Sequence, residues 1–333
     1  MYSFFKKIFI AISAIIVTAV LFIAILWLPF FNSPKEIKFG VSFSKTYAAD
    51  YLELDWKEMY LAILDELNPP LLRLQSDWDK TELSEGNFDF SDLDWQMTEA
   101  EKRGIKVLLV VGRRQPHWPE CHIPEWLADV PEAEVQDRAL EFVKTTVLRY
   151  KDSPVLMMWQ VENEPLLNAF GECPPADINF LKREITLVES LDDHPILVTD
   201  SGELSTWRKT AHLGDYFGTT IYRRVYSNYC GYFRHFFAPA FYRLKAKLVG
   251  LSSDKIIISE LQAEPWMPDG KEGRGSLEDQ KSVMDNEFIK KQIEFARKTG
   301  FSEAYIWGVE WWYWIKLQGD DSIWNIGKDI WQP

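Results

Sequence analysis

The sequence lacks three patterns, and each absence excludes a class of protein. Only three cysteines occur among 333 residues, with no zinc-type spacing of cysteine and histidine, so no metal site is expected. No basic run appears in a chain of net charge −13, which argues against a nucleic-acid partner because phosphates need a basic face. The glycines of residues 270–275 follow no strand-like run, so no phosphate-binding loop is predicted.

The N-terminus carries a long apolar run. Residues 8–28 are 21 residues without a charge, and a helix needs about 20 residues to cross a bilayer core. The run is longer than the apolar part of a signal peptide and ends without a small-residue cleavage site, so we expect a retained anchor. A cleaved signal peptide is the alternative. Lys6 and Lys7 precede the run, which predicts a cytoplasmic N-terminus.

These features divide the chain into two parts. Residues 1–35 are the predicted cytoplasmic N-terminus and membrane anchor, and residues 36–333 are the predicted extracytoplasmic domain. No repeat, low-complexity segment or linker divides the second part, so one domain is expected there.

Short apolar runs alternate with amphipathic stretches throughout the second part. Eight runs are candidate strands: 37–43, 71–75, 105–111, 155–161, 195–200, 216–222, 255–259 and 304–308. Buried parallel strands are continuously apolar, as these are, and eight strand and helix units predict a closed (β/α)₈ TIM barrel. A doubly wound open sheet is the alternative, but it needs fewer strands and usually a nucleotide loop.

Helical spacing and end signals predict several of the connecting helices. Apolar residues recur at helical spacing in 50–67, 132–150 and 286–300, and the last of these stretches ends on a glycine. Residues 91–104 begin with Ser91, which is able to cap a helix. Only 25 residues follow the last strand, so the eighth helix is expected to be short or irregular.

The three cysteines allow at most one disulfide within the chain. Cys121 and Cys173 fall in two predicted loops that would be neighbours in a barrel, so we predict that they pair. Cys230 would then be free.

Two carboxylates mark the predicted active end of the barrel. In such barrels the site lies at the carboxyl ends of the strands. The fourth strand runs into WQVENEP, with Asn163 and Glu164, and the seventh ends at Glu260. A pair of carboxyl groups facing one cleft is what glycosidic bond cleavage requires. We also expect Glu264 to line the cleft and Glu162 to be structural.

The motifs WQVENEP and IIISELQAEPW resemble the signatures of clan A glycoside hydrolases, a retaining superfamily that includes cellulase-like family 5. The resemblance implies that Glu164 is the general acid/base and Glu260 the nucleophile. It also implies that Asn163 holds the sugar 2-hydroxyl, and that no metal or organic cofactor takes part.

The same resemblance assigns roles to three further residues. Arg73 on the second strand would keep the nucleophile ionised, Tyr222 after the sixth strand would hydrogen-bond it, and Trp307 on the eighth would form the floor of the sugar subsite. The segment GNFDFSDLDW also resembles the approach to the second helix in several clan families.

Other positions depart from the family 5 pattern or stay open. The third strand lacks the usual histidine, so Arg113 or His117 is the candidate there, and the sixth strand lacks the histidine before Tyr222. Tryptophans in predicted rim loops are equally suited to stack on sugars or to pack the loops. They are Trp118, Trp266, Trp311 and Trp312, of which Trp311 is a predicted substrate contact.

The sequence therefore predicts a membrane-anchored, extracytoplasmic retaining glycoside hydrolase that acts on a β-linked glycan. One alternative is a transglycosylase that remodels an envelope glycan, in which a sugar replaces water in the second step. Another is a non-catalytic glycan-binding barrel, which would lack one of the two carboxylates.

Overall fold

All eight apolar runs form strands of one closed barrel in the computed structural model, which describes residues 2–268 and 272–332. The strands are β1 (Lys38–Ser42), β2 (Leu71–Gln75), β3 (Glu82–Ser84), β4 (Asn87–Phe88), β5 (Lys106–Val111), β6 (Leu156–Val161), β7 (Ile196–Asp200), β8 (Tyr216–Ile221), β9 (Arg224–Ser227), β10 (Gly231–Arg234), β11 (Ile256–Gln262) and β12 (Glu303–Trp307). Neighbouring barrel strands are parallel, in the order β1-β12-β11-β8-β7-β6-β5-β2. The predicted (β/α)₈ barrel is confirmed, and the open-sheet alternative is wrong.

One helix, α1, precedes the barrel strands, and the other helices lie between and after them. They are α1 (Tyr2–Leu26), α2 (Trp56–Ala62), α3 (Trp78–Thr81), α4 (Ser91–Lys102), α5 (Glu132–Tyr150), α6 (Ile178–Leu191), α7 (Pro239–Leu248), α8 (Leu277–Val283), α9 (Asn286–Thr299), α10 (Val309–Leu317) and α11 (Ser322–Trp331). Short π-helical segments, Tyr47–Tyr51 and Ile63–Leu67, lie on either side of α2. Single turns of 3-10 helix occupy Pro29–Phe31, Glu125–Leu127 and Ser253–Lys255.

The predicted helices over 91–104, 132–150 and 286–300 are present, and two other helix predictions need correction. The predicted helix over 132–150 is α5, and α9 ends before Gly300, which takes the left-handed conformation at φ 71°. The stretch 50–67 is only partly α-helical. Ser91 does not cap α4; it is the first helical residue, and the Asp89 carboxylate accepts its backbone N–H. After β12 the chain forms two short helices, α10 and α11.

Side chains inside the barrel close the end opposite the predicted site. One cluster takes a single buried residue from each of six strands, all from their amino-terminal halves: Leu71, Leu108, Met158, Leu197, Ile257 and Tyr305. Side chains on the other face of the strands join the larger core under the helices. The packed layer leaves the carboxyl ends of the strands as the open face of the barrel.

The apolar N-terminal run forms α1, which lies outside the barrel. Within the described residues, one helix is long and apolar enough to cross a membrane, Phe4–Leu26, and none of it is buried. That length and composition suit an anchor and a signal sequence alike.

Candidate active site

A bulge in β11 sets the direction of Glu260. Ile258 pairs with Thr219 of β8 and Glu260 with Thr220, so Ser259 is one extra residue in β11. Such bulges redirect side chains next to functional sites. Glu260 therefore lies two residues inside the strand, where the sequence pattern predicted the strand end.

Two hydrogen-bond donors hold the Glu260 carboxylate. The Arg73 guanidinium lies 3.1 Å from Oε1, and the Tyr222 hydroxyl donates to Oε2 at 2.9 Å. Arg73 is fully buried, and Glu260 is almost so. Burial and the nearby Glu260 charge raise the pKa of Tyr222, which keeps its phenol a donor. Charge-assisted hydrogen bonds of this kind stabilise the ionised carboxylate.

Arg73 also connects the fourth strand to the site. Its Nη2 donates to Asn163 Oδ1 at 2.8 Å, and its Nε donates to Gln160 Oε1 at 2.9 Å. Gln160 in turn donates to Asn163 Oδ1 at 3.2 Å. Because Arg73 has no exposed surface, it can act on a bound sugar only through Glu260 and Asn163.

Glu164 lies in a different environment from Glu260. It has a left-handed backbone, at φ 44°, and its oxygen accepts one hydrogen bond from Thr220 Oγ1 at 3.1 Å. Burial raises the pKa of this carboxyl well above its usual value, and the charges of Glu260 and Glu120 raise it further. No cation within the described residues pairs directly with Glu164. Glu164 therefore holds its proton to a higher pH than an exposed glutamate does.

Aromatic rings surround His117. Its imidazole stacks on Tyr47 at 4.4 Å between ring centroids and on Trp307 at 3.9 Å. Burial and the Arg73 charge hold the pKa of His117 well below its usual value, so the ring is neutral. His117 thus covers part of the Trp307 indole, and a sugar has access only to the small remaining surface of a ring that is 7% exposed.

Glu264 belongs to the same cluster of rings. Its carboxyl accepts hydrogen bonds from the Trp307 indole N–H at 2.8 Å and from the Tyr47 hydroxyl at 3.1 Å. Burial raises the pKa of Glu264 well above its usual value, as do the charges of Glu272 and Glu310. Glu264 is therefore near the site, with both oxygens engaged by protein groups.

Two of the predicted rim tryptophans are core residues. Trp311 and Trp312 lie in α10 and are fully buried, with indole N–H groups that donate to Gln280 Oε1 and to the Ala263 carbonyl. The prediction that Trp311 contacts substrate is wrong, because no surface of the ring is left. Trp118 is exposed, and Trp266 is half-buried with its ring 5.8 Å from Tyr222.

Glu162 supports the loop that carries Asn163 and Glu164. Its two oxygens accept the backbone N–H groups of Arg113 and Arg114, at 3.0 and 2.7 Å. The Glu184 carboxyl is fully buried beside it, and burial together with the Glu162 charge raises the pKa of Glu184 well above its usual value. Gly112 is required here, because a Cβ would lie 2.7 Å from Glu162 Oε1 at a φ of 107°.

A disulfide joins the loops after β5 and β6. Cys121 pairs with Cys173 and Cys230 is free, as predicted. Beside the disulfide, Arg114 contacts Glu120 at 2.7 Å. The sequence analysis missed Glu120, Tyr47 and Thr220. For Glu120 and Tyr47, nothing in the residue pattern predicts the path of the connecting segments that carry them.

Comparisons with known proteins give two curated relatives of low sequence identity. No family model matches the sequence. The mannan endo-1,4-beta-mannosidase F of Aspergillus fumigatus is 23% identical over 194 residues, which cover 53% of this chain and 41% of that protein. The probable mannan endo-1,4-beta-mannosidase F of Neosartorya fischeri is 24% identical over 128 residues, or 36% of this chain and 27% of its own. The chain thus matches less than half the length of these curated relatives.

Solved structures match a larger part of the chain. A GH5_18 protein from Bifidobacterium longum has a TM-score of 0.58 at 14% identity, over 81% of this chain and 69% of its own. Xylanase 10B from Thermotoga petrophila has a TM-score of 0.53 at 14% identity, over 83% and 82%. The chain has the fold of the clan A glycoside hydrolases. The predicted resemblance to that clan is confirmed at the level of the fold.

Within the clan A fold, the structure brings together most of the predicted site residues. Glu260, Arg73, Tyr222 and Asn163 form one hydrogen-bonded group, with Glu164 close enough to respond to the Glu260 charge. His117, Trp307 and Glu264 form a second, aromatic group. Arg113, the alternative to His117, instead pairs with Glu132 and lies over the Phe180 ring.

Proposed function

We propose that this protein is a retaining glycoside hydrolase that cleaves β-linked glycans, with Glu260 as nucleophile and Glu164 as general acid/base. The observation that carries the proposal is the contrast between the two carboxyl groups. Glu260 receives donors from Arg73 and Tyr222, which favour its charged form, whereas burial raises the pKa of Glu164. Environments that separate two carboxyl groups in this way assign the acid and the nucleophile.

The chemistry would follow two steps. Glu260 attacks the anomeric carbon as the glycosidic C–O bond breaks, and Glu164 gives its proton to the leaving oxygen. In the second step Glu164 takes a proton from water, which attacks the anomeric carbon and releases Glu260. Asn163, held by Arg73 and Gln160, would bind the sugar hydroxyl next to the anomeric carbon.

Substitution of each carboxyl group tests these roles. Glu164→Gln and Glu260→Gln should both abolish hydrolysis of a natural glycan and leave the fold intact. With an aryl glycoside whose leaving group needs no proton, Glu164→Ala should keep the first step, and azide should restore turnover in place of water. The azide product of Glu164→Ala should keep the anomeric configuration of the substrate, whereas Glu260→Ala should lose the first step and any azide product it forms should be inverted. Glu189→Gln, on the exposed side of α6, is the control and should retain full activity. Full activity in either glutamine variant would contradict the assignment.

The substrate is proposed at the level of class. Mannan is named for both curated relatives, so β-1,4-mannan should lead a panel that also includes β-linked glucan, xylan and galactan. Product analysis with excess sugar acceptor separates hydrolysis from transglycosylation. Products longer than the substrate would favour an acceptor sugar in the second step.

We also propose that residues 1–35 are the cytoplasmic end and membrane anchor, and that the barrel of residues 36–333 lies outside the membrane. The apolar, unburied helix Phe4–Leu26 supports this arrangement, as does the Cys121–Cys173 disulfide. An N-terminal tag should stay attached to the C-terminal barrel in the membrane fraction. Release of a shorter chain without the tag would show a cleaved signal peptide.

A further inference from the structure

One segment of this acidic protein has a strongly positive charge. Residues 216–253 contain six Arg and Lys residues, no Asp or Glu, and eleven aromatic residues, whereas the whole chain has a net charge of −13. The segment comprises β8, the antiparallel hairpin of β9 and β10, and α7. Such a reversal of charge within one segment favours an anionic partner at its exposed part, the hairpin, because β8 is largely buried and Lys245 of α7 is buried as well.

Three guanidinium groups of this segment gather around one ring. Arg223, Arg224 and Arg234 lie 6.0, 4.9 and 5.5 Å from the centroid of Phe288. In the described part of the chain, none of the three forms an ion pair with a carboxylate. Burial lowers the pKa of Arg223 and Arg224, and the charge of Arg234 lowers both further, while the charge of Asp285 acts in the opposite direction at Arg224.

The hairpin also exposes large aromatic side chains. Tyr229 at its tip is fully exposed, and Tyr232, Phe233 and Phe236 are exposed by 42%, 38% and 59%. With Arg234 these four residues are called the hairpin face below. Aromatic rings next to arginines are typical of protein surfaces at the level of lipid headgroups.

The end of the apolar helix lies beside the hairpin face. The Trp27 indole N–H, just after α1, donates to the carbonyl of Phe236 at 2.9 Å, and the Trp27 ring meets Phe295 of α9 edge-on. Further along, Asn32 Oδ1 accepts the Ala240 N–H, and the Lys35 N–H donates to the carbonyl of Arg297. Because a tryptophan at the end of a membrane helix lies at the interface, the hairpin face lies at the same depth.

We propose that the hairpin face docks on the phosphate headgroups of the bilayer that holds α1, with the aromatic rings inserted at the interface and the exposed Arg234 on anionic lipid. The inference rests on the proposed membrane anchor. Such docking would fix the orientation of the barrel, because the hairpin is bonded to the strand that carries Glu260. The backbone N–H groups of Arg223 and Arg224 donate to Gln262 at the end of β11. The substrate would then be a glycan that lies close to the membrane surface.

The single free thiol provides the test. Because Cys121 and Cys173 form the disulfide, a fluorophore on the full chain attaches at Cys230, at the tip of the hairpin. The labelled protein is placed in nanodiscs of phosphatidylcholine, with or without a third of phosphatidylglycerol. A nitroxide lipid should quench this label several-fold more than it quenches a label at Thr98→Cys in a Cys230→Ser background. Thr98 is exposed on α4, which follows β2 on the opposite side of the barrel from β8.

A charge reversal tests the role of the arginines. Arg234→Glu should lower the lipid quenching at Cys230 in the phosphatidylglycerol discs to the value in phosphatidylcholine alone. Lys144→Glu, the same charge change at an exposed side chain of α5, should leave the quenching at Cys230 unchanged.

Three results would overturn the proposal. Equal lipid quenching at positions 98 and 230, in protein that stays with the nanodisc, would exclude hairpin docking and leave the anchor standing. Protein that separates from the nanodisc would remove the anchor and the docking together. Protection of the Cys230 label from acrylamide by a soluble polyuronate, with no quenching by lipid, would make the face a glycan-binding surface. None of these measurements depends on glycosidase activity.

Discussion

The substitution Glu164→Gln should make the protein more stable at alkaline pH while it removes activity. Glutamine has nearly the same shape as glutamate, can accept the hydrogen bond from Thr220 Oγ1, and carries no charge at any pH. In the wild type, burial and the charges of Glu260 and Glu120 raise the pKa of Glu164 well above its usual value. At a pH above the pKa of this glutamate in the unfolded chain, the unfolded chain has released the proton. The folded protein then either keeps a proton on Glu164 or carries an unfavourable buried charge there.

The size of the effect follows from proton linkage. A carboxyl whose pKa is higher in the folded than in the unfolded state contributes its full stability below the unfolded pKa, and this contribution is lost as pH rises through the folded pKa. For one group the slope is at most about 1.4 kcal/mol of unfolding free energy per pH unit. Other buried acids, including Glu184 and Glu264, act in the same direction, so only the difference between wild type and variant isolates Glu164.

Thermal unfolding measured by tryptophan fluorescence between pH 5 and pH 8 tests this reasoning. The gap in stability between Glu164→Gln and the wild type should be small at pH 5 and should widen as pH rises. Glu189→Gln, at an exposed position on α6, should follow the wild type at every pH. A gap that stays constant across the range would refute the claim that Glu164 is protonated in the folded protein, and with it the proposed acid.

Two further substitutions test the groups that support the site. Tyr222→Phe removes a 2.9 Å hydrogen bond to Glu260. Because hydrogen bonds to charged groups are worth about 1.5–3 kcal/mol, kcat/KM should fall roughly 10- to 150-fold. An unchanged kcat/KM would exclude this contact from the reaction. Glu162→Gln leaves one acceptor for the two backbone N–H groups of Arg113 and Arg114; it should lower stability by about 1–3 kcal/mol, as measured by chemical denaturation. Glu184→Gln should cost less, since its amide can donate to Glu162, and an equal loss in both variants would contradict a supporting role specific to Glu162.

Strands were the most predictable part of this fold. A strand buried on both faces is apolar along most of its length, so the eight runs predicted the positions of the barrel strands. The end of β11 was less predictable, because a bulge at Ser259 extends the strand past Glu260 to Gln262. A bulge depends on pairing with β8, which no local pattern records.

The aromatic run in α10 shows where the local sequence pattern fails to predict a helix. The sequence VEWWYWIKL has no polar face at helical spacing, so the sequence pattern predicts a rim loop rich in tryptophan. In the structure seven consecutive residues of this helix are buried, so it has no solvent face to produce a periodic pattern. The position of Trp311 in the core could be found only from the packing of α10 against α11 and from the indole hydrogen bond to Gln280 in α8.

The same limit applies to the assignment of roles within the site. Strand ends identify Glu164 and Glu260 as neighbours, but which of them holds a proton depends on donors from elsewhere in the chain. Arg73 comes from β2 and Tyr222 from the end of β8, and both meet Glu260. Glu164 accepts a hydrogen bond from the Thr220 hydroxyl, and the charge of Glu120, in the disulfide-linked loop, raises the pKa of Glu164. Because that loop approaches the pair from the β5 side, its exact path helps to set the proton affinity of Glu164, and with it the pH range in which the proposed acid can act.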